Sequence, residues 1–249
     1  MFFYIEIAVE KTPLLVKDLP DFRVPSRLIG IAIVILFTKI FIHGANSVGS
    51  TGGKPSSSRN DPYGAEHDLL QAIKIPFNDP KTQYFENGLD GFPAFGLRPG
   101  SDIKSPYRLF IPEKLYPEFS IVVTVRSLSR EGGFLFAVVN PLDTIVQLGV
   151  QLSPVGFGST NISLYYTDPS YFTSQAIASF VVPVFHKKWT RFSLRVTNDD
   201  VTLFFNCEEY DKVEVQRVPQ ELVFDSASTL YIGQAGPIIK GAFEELLRS

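Results

Sequence analysis

Three clusters in this chain hold residue types that can do chemistry. In Glu209-Tyr-Asp211-Lys-Val-Glu214 the carboxylates are spaced E-x-D-x-x-E. Two carboxyl groups about 5 Å apart on one strand face can act as nucleophile and acid in a retaining glycoside hydrolysis. Lys212 interrupts the motif, and the segment follows a hairpin as a polar turn, so a solvated acidic loop is the better reading. The second cluster is His186-Lys-Lys-Trp-Thr-Arg191 with Arg195, which Arg126 and Arg130 are available to join. Arg191 and Arg195 share a parity on a strand and can line one face with Lys187, while Lys188 adds a further cation. Such a face attracts sulfates through charge and bidentate hydrogen bonds. Its structural alternative is a solvated edge with Trp189 packed in the core. The third cluster is the sequon Asn161-Ile-Ser163, a glycosylation acceptor if the chain enters the secretory pathway.

Metal chemistry finds no such pattern. Asp143, Asp168, Asp199 and Asp200 are acids of predicted loops, but their spacing matches no compact calcium loop. His43, His67 and His186 have no zinc spacing. No metal or cofactor is expected.

Composition says what must position these clusters. The chain has 249 residues and is 45% hydrophobic, enough for a substantial core. Its 23 Lys+Arg against 26 Asp+Glu give a net charge of -3, which argues against a general nucleic-acid binder. Phe 22, Tyr 10, Gly 18 and Pro 18 describe many short strands punctuated by turns. Cys207 is the single cysteine and has no internal disulfide partner.

Residues 1–45 read as a leader. Its apolar run, Leu28 to Ile42, follows Arg23 and Arg27 and precedes the small residues Gly44, Ala45 and Ser47. That run suits a signal-peptide core, with a signal anchor and a buried helix as the alternatives; a membrane contact is expected only if the leader is an uncleaved anchor. Residues 46–63 are rich in Gly, Ser and Pro and read as a linker. A domain over 64–249 follows, opening on a short helix within Glu66 to Ile75.

Beyond that helix the periodicity is two. Strands are predicted at 82–85, 94–97, 107–111, 119–126, 133–139, 145–152, 161–166, 176–182, 191–196, 201–206, 213–216, 230–233 and 243–247. Phe119 to Arg126 is apolar on both parities, as a strand covered on both faces must be. Thr197-Asn-Asp-Asp200 and Glu131-Gly-Gly133 read as tight turns. Many strands with little helix between them imply an all-β fold, an antiparallel β-sandwich.

Several spaced pieces together resemble one family. They are Phe95-Gly-Leu-Arg-Pro-Gly100, Arg130-Glu-Gly-Gly-Phe-Leu-Phe-Ala-Val-Val139, Leu148-Gly-Val-Gln-Leu-Ser153, Tyr165-Tyr-Thr-Asp-Pro169, Trp189, Cys207-Glu-Glu209 and Ile232-Gly-Gln-Ala-Gly236. In this order they resemble the thrombospondin N-terminal-like domain of the laminin-G-like sandwiches, in the form found in the multiplexin collagens of types XV and XVIII. The resemblance covers roughly Ala65 to the end. It implies a laminin-G-like, concanavalin-like jelly roll in a secreted, non-enzymatic extracellular-matrix module of basement-membrane type, whose partners are matrix proteins. Heparin binding in the wider thrombospondin family implies heparan sulfate as a ligand for Lys187, Lys188, Arg191 and Arg195. Domains of the family often carry a paired cysteine, whereas Cys207 stands alone. A carbohydrate-active sandwich, either a lectin or a laminarinase-like glycosidase using Glu209, Asp211 and Glu214, is the alternative from another class.

Overall fold

The computed structural model describes the backbone of residues 2–4 and the residues 66–89 and 91–243. The apolar run 28–42, the linker 46–63 and the predicted strand beyond Phe243 lie outside the described residues. Two antiparallel sheets face each other across one core.

The strands are β1 Phe2–Tyr4, β2 Gln83–Asn87, β3 Pro93–Leu97, β4 Ile103–Pro106, β5 Phe119–Arg126, β6 Gly133–Val139 and β7 Val146–Val155. They continue as β8 Ser159–Tyr166, β9 Ala176–Pro183, β10 Thr190–Val196, β11 Asp200–Phe205, β12 Glu208–Glu214 and β13 Thr229–Ile232. One sheet runs β12-β11-β10-β5-β1-β3-β2 and the other β4-β13-β6-β7-β8-β9. Phe2–Tyr4 belong to the leader as the sequence was read, yet they pair with both β3 and β5 inside the first sheet.

Side-chain alternation builds the core. On β10, Thr190, Phe192, Leu194 and Val196 are buried, while Arg191, Ser193 and Arg195 face away from the core. On β6 every residue is buried, because this strand is covered on both sides. A register shift between Phe134 and Phe136 lets Leu135 and Phe136 both join the main core. Phe134, Ala137 and Val139 turn to the other face and pack with Val146 and Tyr231 in a second, smaller core. The chain after β13, including the helical turn α1 Gly236–Ile239, covers that face with Ala235 and Ile239.

Two predicted elements differ. The helix expected within Glu66 to Ile75 is one 3-10 turn, Leu69–Ala72, whose start is capped by the Asp68 carboxylate accepting from Leu70 N at 3.0 Å. The strand expected at Tyr107 to Ile111 is instead a 3-10 turn, Tyr107–Leu109, following β4. Tyr107 and Ile111 are both buried, and a spacing of four fits a helical turn as well as a strand.

Candidate functional site

The outer face of the seven-stranded sheet gathers cations. Arg191 pairs in register with Thr124 and Arg195 with Ser120, so the two arginines lie on the side of β10 away from the core, about 13 Å apart along the strand. Arg126 ends β5 on the same side.

The guanidinium groups are held against aromatic rings. Arg126 lies 5.1 Å from the Trp189 ring centre, Arg195 lies 5.4 Å from Phe204, and Arg98 lies 4.4 Å from Tyr84. Arg195 also donates to Thr202 Oγ1 at 3.4 Å, and Arg126 stands 4.0 Å from Glu86. Tyr84 can lie across β3 only because position 96 is glycine, where an added Cβ would fall 2.6 Å from its ring. Rings beneath guanidinium groups fix their orientation while leaving the charge accessible.

Trp189 therefore does not fill the core role expected of it. It is half-buried before β10, with Arg126 over its ring. An indole at the sheet margin keeps its polar edge near water while its face meets the cation.

Lys187 and Lys188 sit apart from this face, in the β9–β10 loop. Lys187 takes φ 62 and its N–H donates to Ser127 O at 2.8 Å, so the loop is tied to the β5–β6 connection. Lys188 lines a cleft of about 510 Å³ at the sheet ends together with Arg130 and His186. Burial pushes the His186 imidazole below its ordinary pKa, and Arg130 and Lys187 push in the same direction. The structure thus splits the predicted cationic set between a sheet face and a rim cleft.

Glu209, Asp211 and Glu214 are exposed on β12, the edge strand of the seven-stranded sheet. Strand β12 pairs only with β11, and the rim cleft includes none of the three acids. Lys212, which interrupts the motif, reaches Asp200 Oδ2 at 2.8 Å and holds that carboxyl below its usual range.

Asn161 lies within β8, half-buried, between Ser153 of β7 and Val181 of β9. Its Nδ2 donates to Ser163 Oγ at 3.0 Å. Asp143 accepts from Tyr231 OH at 3.0 Å, and Asp168 caps its own turn through Ser170 N at 2.7 Å. Among the described residues no three of His, Cys, Asp and Glu gather closely enough to hold a metal ion. Cys207 is exposed at φ 69 in the β11–β12 turn.

Arg217 is the polar centre that the sequence did not disclose. It is buried, with its guanidinium donating to the carbonyls of Thr197, Gln220 and Pro117 and facing the Tyr166 ring at 5.3 Å. Tyr166 OH in turn donates to Pro219 O at 2.9 Å. This assembly locks the segment after β12 onto the sheet ends. A lone arginine in a polar stretch gives no signal of such a role.

Two antiparallel sheets with this order form a jelly-roll β-sandwich. No family model matches the chain. Human collagen alpha-1(XVIII) chain is 31% identical over 168 residues, which is 68% of this chain and 10% of that protein. Human collagen alpha-1(XXIV) chain is 26% identical over 132 residues, 53% of this chain and 7% of that one. The chain therefore spans a tenth or less of the length of these relatives. Domains LG4-5 of mouse laminin alpha1 superpose with a TM-score of 0.37 at 12% identity, covering 57% of this chain and 34% of theirs. Domain 4 of the arabinanase AbnA from Geobacillus stearothermophilus superposes at 0.40 and 19% identity, covering 63% of this chain and 68% of that domain. At these scores neither superposition bears on function. The described sandwich belongs to the thrombospondin N-terminal-like, laminin-G-like domains of the multiplexin-collagen kind. The collagen homology assigns it to the extracellular matrix. No helix among the described residues is long and apolar enough to cross a membrane.

Proposed function

We propose that this domain is a non-enzymatic matrix module that binds matrix proteins and heparan sulfate, with Arg191, Arg195 and Arg126 forming the sulfate-binding face. One observation carries the reading: three arginines project from the same side of the seven-stranded sheet, two of them held against rings. Orienting a guanidinium before the ligand arrives removes part of the ordering cost of binding. Sulfate groups then meet forked donors at fixed spacing on an otherwise acidic protein. Lys187 and Lys188 extend the positive region beyond the end of β10. Against a glycosidase reading, Glu209, Asp211 and Glu214 occupy an exposed edge strand outside the rim cleft.

The test is heparin-affinity chromatography of the full chain. The expected result is retention at about 50 mM salt, with an Arg191→Ala/Arg195→Ala double variant eluting at clearly lower salt. Passage of the unaltered chain without retention would remove heparan sulfate from the proposal while leaving the matrix assignment in place.

A further inference from the structure

The rim cleft lies where three connections converge: β5–β6, β7–β8 and β9–β10. Its volume of about 510 Å³ falls within the roughly 300–1,000 Å³ typical of small-ligand sites. Two cations, Arg130 and Lys188, face one carboxylate, Glu131, so the cleft favours an anion. Ser153 adds a hydroxyl. His186 lines the same wall, and its Nδ1 is buried without a hydrogen-bond partner in the fold, an arrangement a ligand hydroxyl would satisfy.

Phe157 decides the kind of anion. It stands fully exposed at the tip of the β7–β8 turn, flanked by Gly156 and Gly158, with nothing near either glycine that would hold the tip in place. A bare phenyl ring forgoes about 2 kcal/mol of burial until something apolar covers it. An inorganic anion gains nothing from that ring. A sugar does, because its C–H face stacks on an aromatic while its hydroxyls take up the polar wall.

We propose that this cleft binds one acidic sugar unit, a sulfated or carboxylated hexose, stacked on Phe157 with its anion held by Arg130 and Lys188. The class of ligand rests on the heparan sulfate reading above. The site is separate from the sheet face.

The test titrates the full chain, by calorimetry, with three probes: a sulfated heparin disaccharide, the neutral disaccharide lactose, and sodium sulfate. The sulfated disaccharide is expected to bind, with Phe157→Ala and Arg130→Ala each weakening it about tenfold. Arg191→Ala/Arg195→Ala is expected to leave that affinity unchanged even as it lowers elution from heparin. Phe157 is solvent-exposed, so its variant keeps the fold, and an unchanged circular dichroism spectrum confirms this. Equal binding of lactose, full competition by sulfate with no effect of Phe157→Ala, or no disaccharide binding at 10 mM would each overturn the proposal. Loss of disaccharide binding only in the Arg191/Arg195 variant would also overturn it, while upholding the sheet face.

Discussion

Arg217 shows how one side chain organises its surroundings. Its charge is buried, and three main-chain carbonyls take the place of a countercharge. Arg217→Met is expected to strand those acceptors and cost about 3 kcal/mol, read as a lower urea midpoint. Arg217→Lys should recover little, because an ammonium group lacks the planar fork that reaches three carbonyls. Tyr231 offers a second measurement. Burial, followed by the hydrogen bond to Asp143, pushes its phenol up to about 12. A group raised in the folded state lends stability that is complete below the unfolded pKa of about 10 and is lost as pH rises through the folded value. Ultraviolet titration should show a tyrosine ionising near pH 12, and Tyr231→Phe should delete that step. Neither residue stood out in the sequence, because an isolated Arg or Tyr does not reveal whether carbonyls or a carboxylate will meet it.

Among the elements, those with both faces covered were the most legible. Strands β5 and β6 coincide with the predicted spans 119–126 and 133–139, since long apolar runs bounded by turn residues leave little ambiguity. Strand β12 was harder, because its charged residues resemble a turn. It begins at Glu208, where the sequence suggested a strand only from Val213. Charges on an edge strand discourage pairing with other chains, so they do not disqualify it as a strand. The Thr197–Asp200 turn formed as expected, with Thr197 N donating to Asp200 O at 2.9 Å. Asp200 also binds Lys212 across the β11–β12 hairpin, and its depressed pKa means that this support is present above the unfolded carboxylate value and fades as pH falls through the folded one. Asp200→Asn is expected to cost on the order of 1 kcal/mol at pH 7 and nothing near pH 2, which paired thermal melts would reveal. At the β5–β6 turn, Gly132 takes φ +75, and an added Cβ would stand 2.2 Å from Leu152 O. Gly132→Ala should therefore destabilise by about 1–3 kcal/mol, lowering the melting temperature by several degrees.

At the scale of the whole molecule, the sandwich was legible from strand count and turn spacing, while the sites were not. Arg191 and Arg195 could be placed on one face by parity alone. The partition of Lys188 from them, and the meeting of three loops around Phe157, follow from sheet order, which periodicity does not encode. Sheet order has a kinetic consequence as well. Strand β13 sits inside the six-stranded sheet, between β4 and β6, so that Ile103 pairs with Ile232 and Leu230 with Val138. Gln147, buried at the middle of β7, takes its hydrogen bonds from the turn just before β13, through Asp225 at 2.9 Å and Ser228 at 2.6 Å. Contacts so distant in sequence must await closure of long loops, which slows folding. A chain truncated after Ser228 should therefore remain protease-sensitive throughout β4, β6 and β7, with the full chain resistant there. During synthesis, most of the domain must be kept from aggregating until the ribosome has released this late strand.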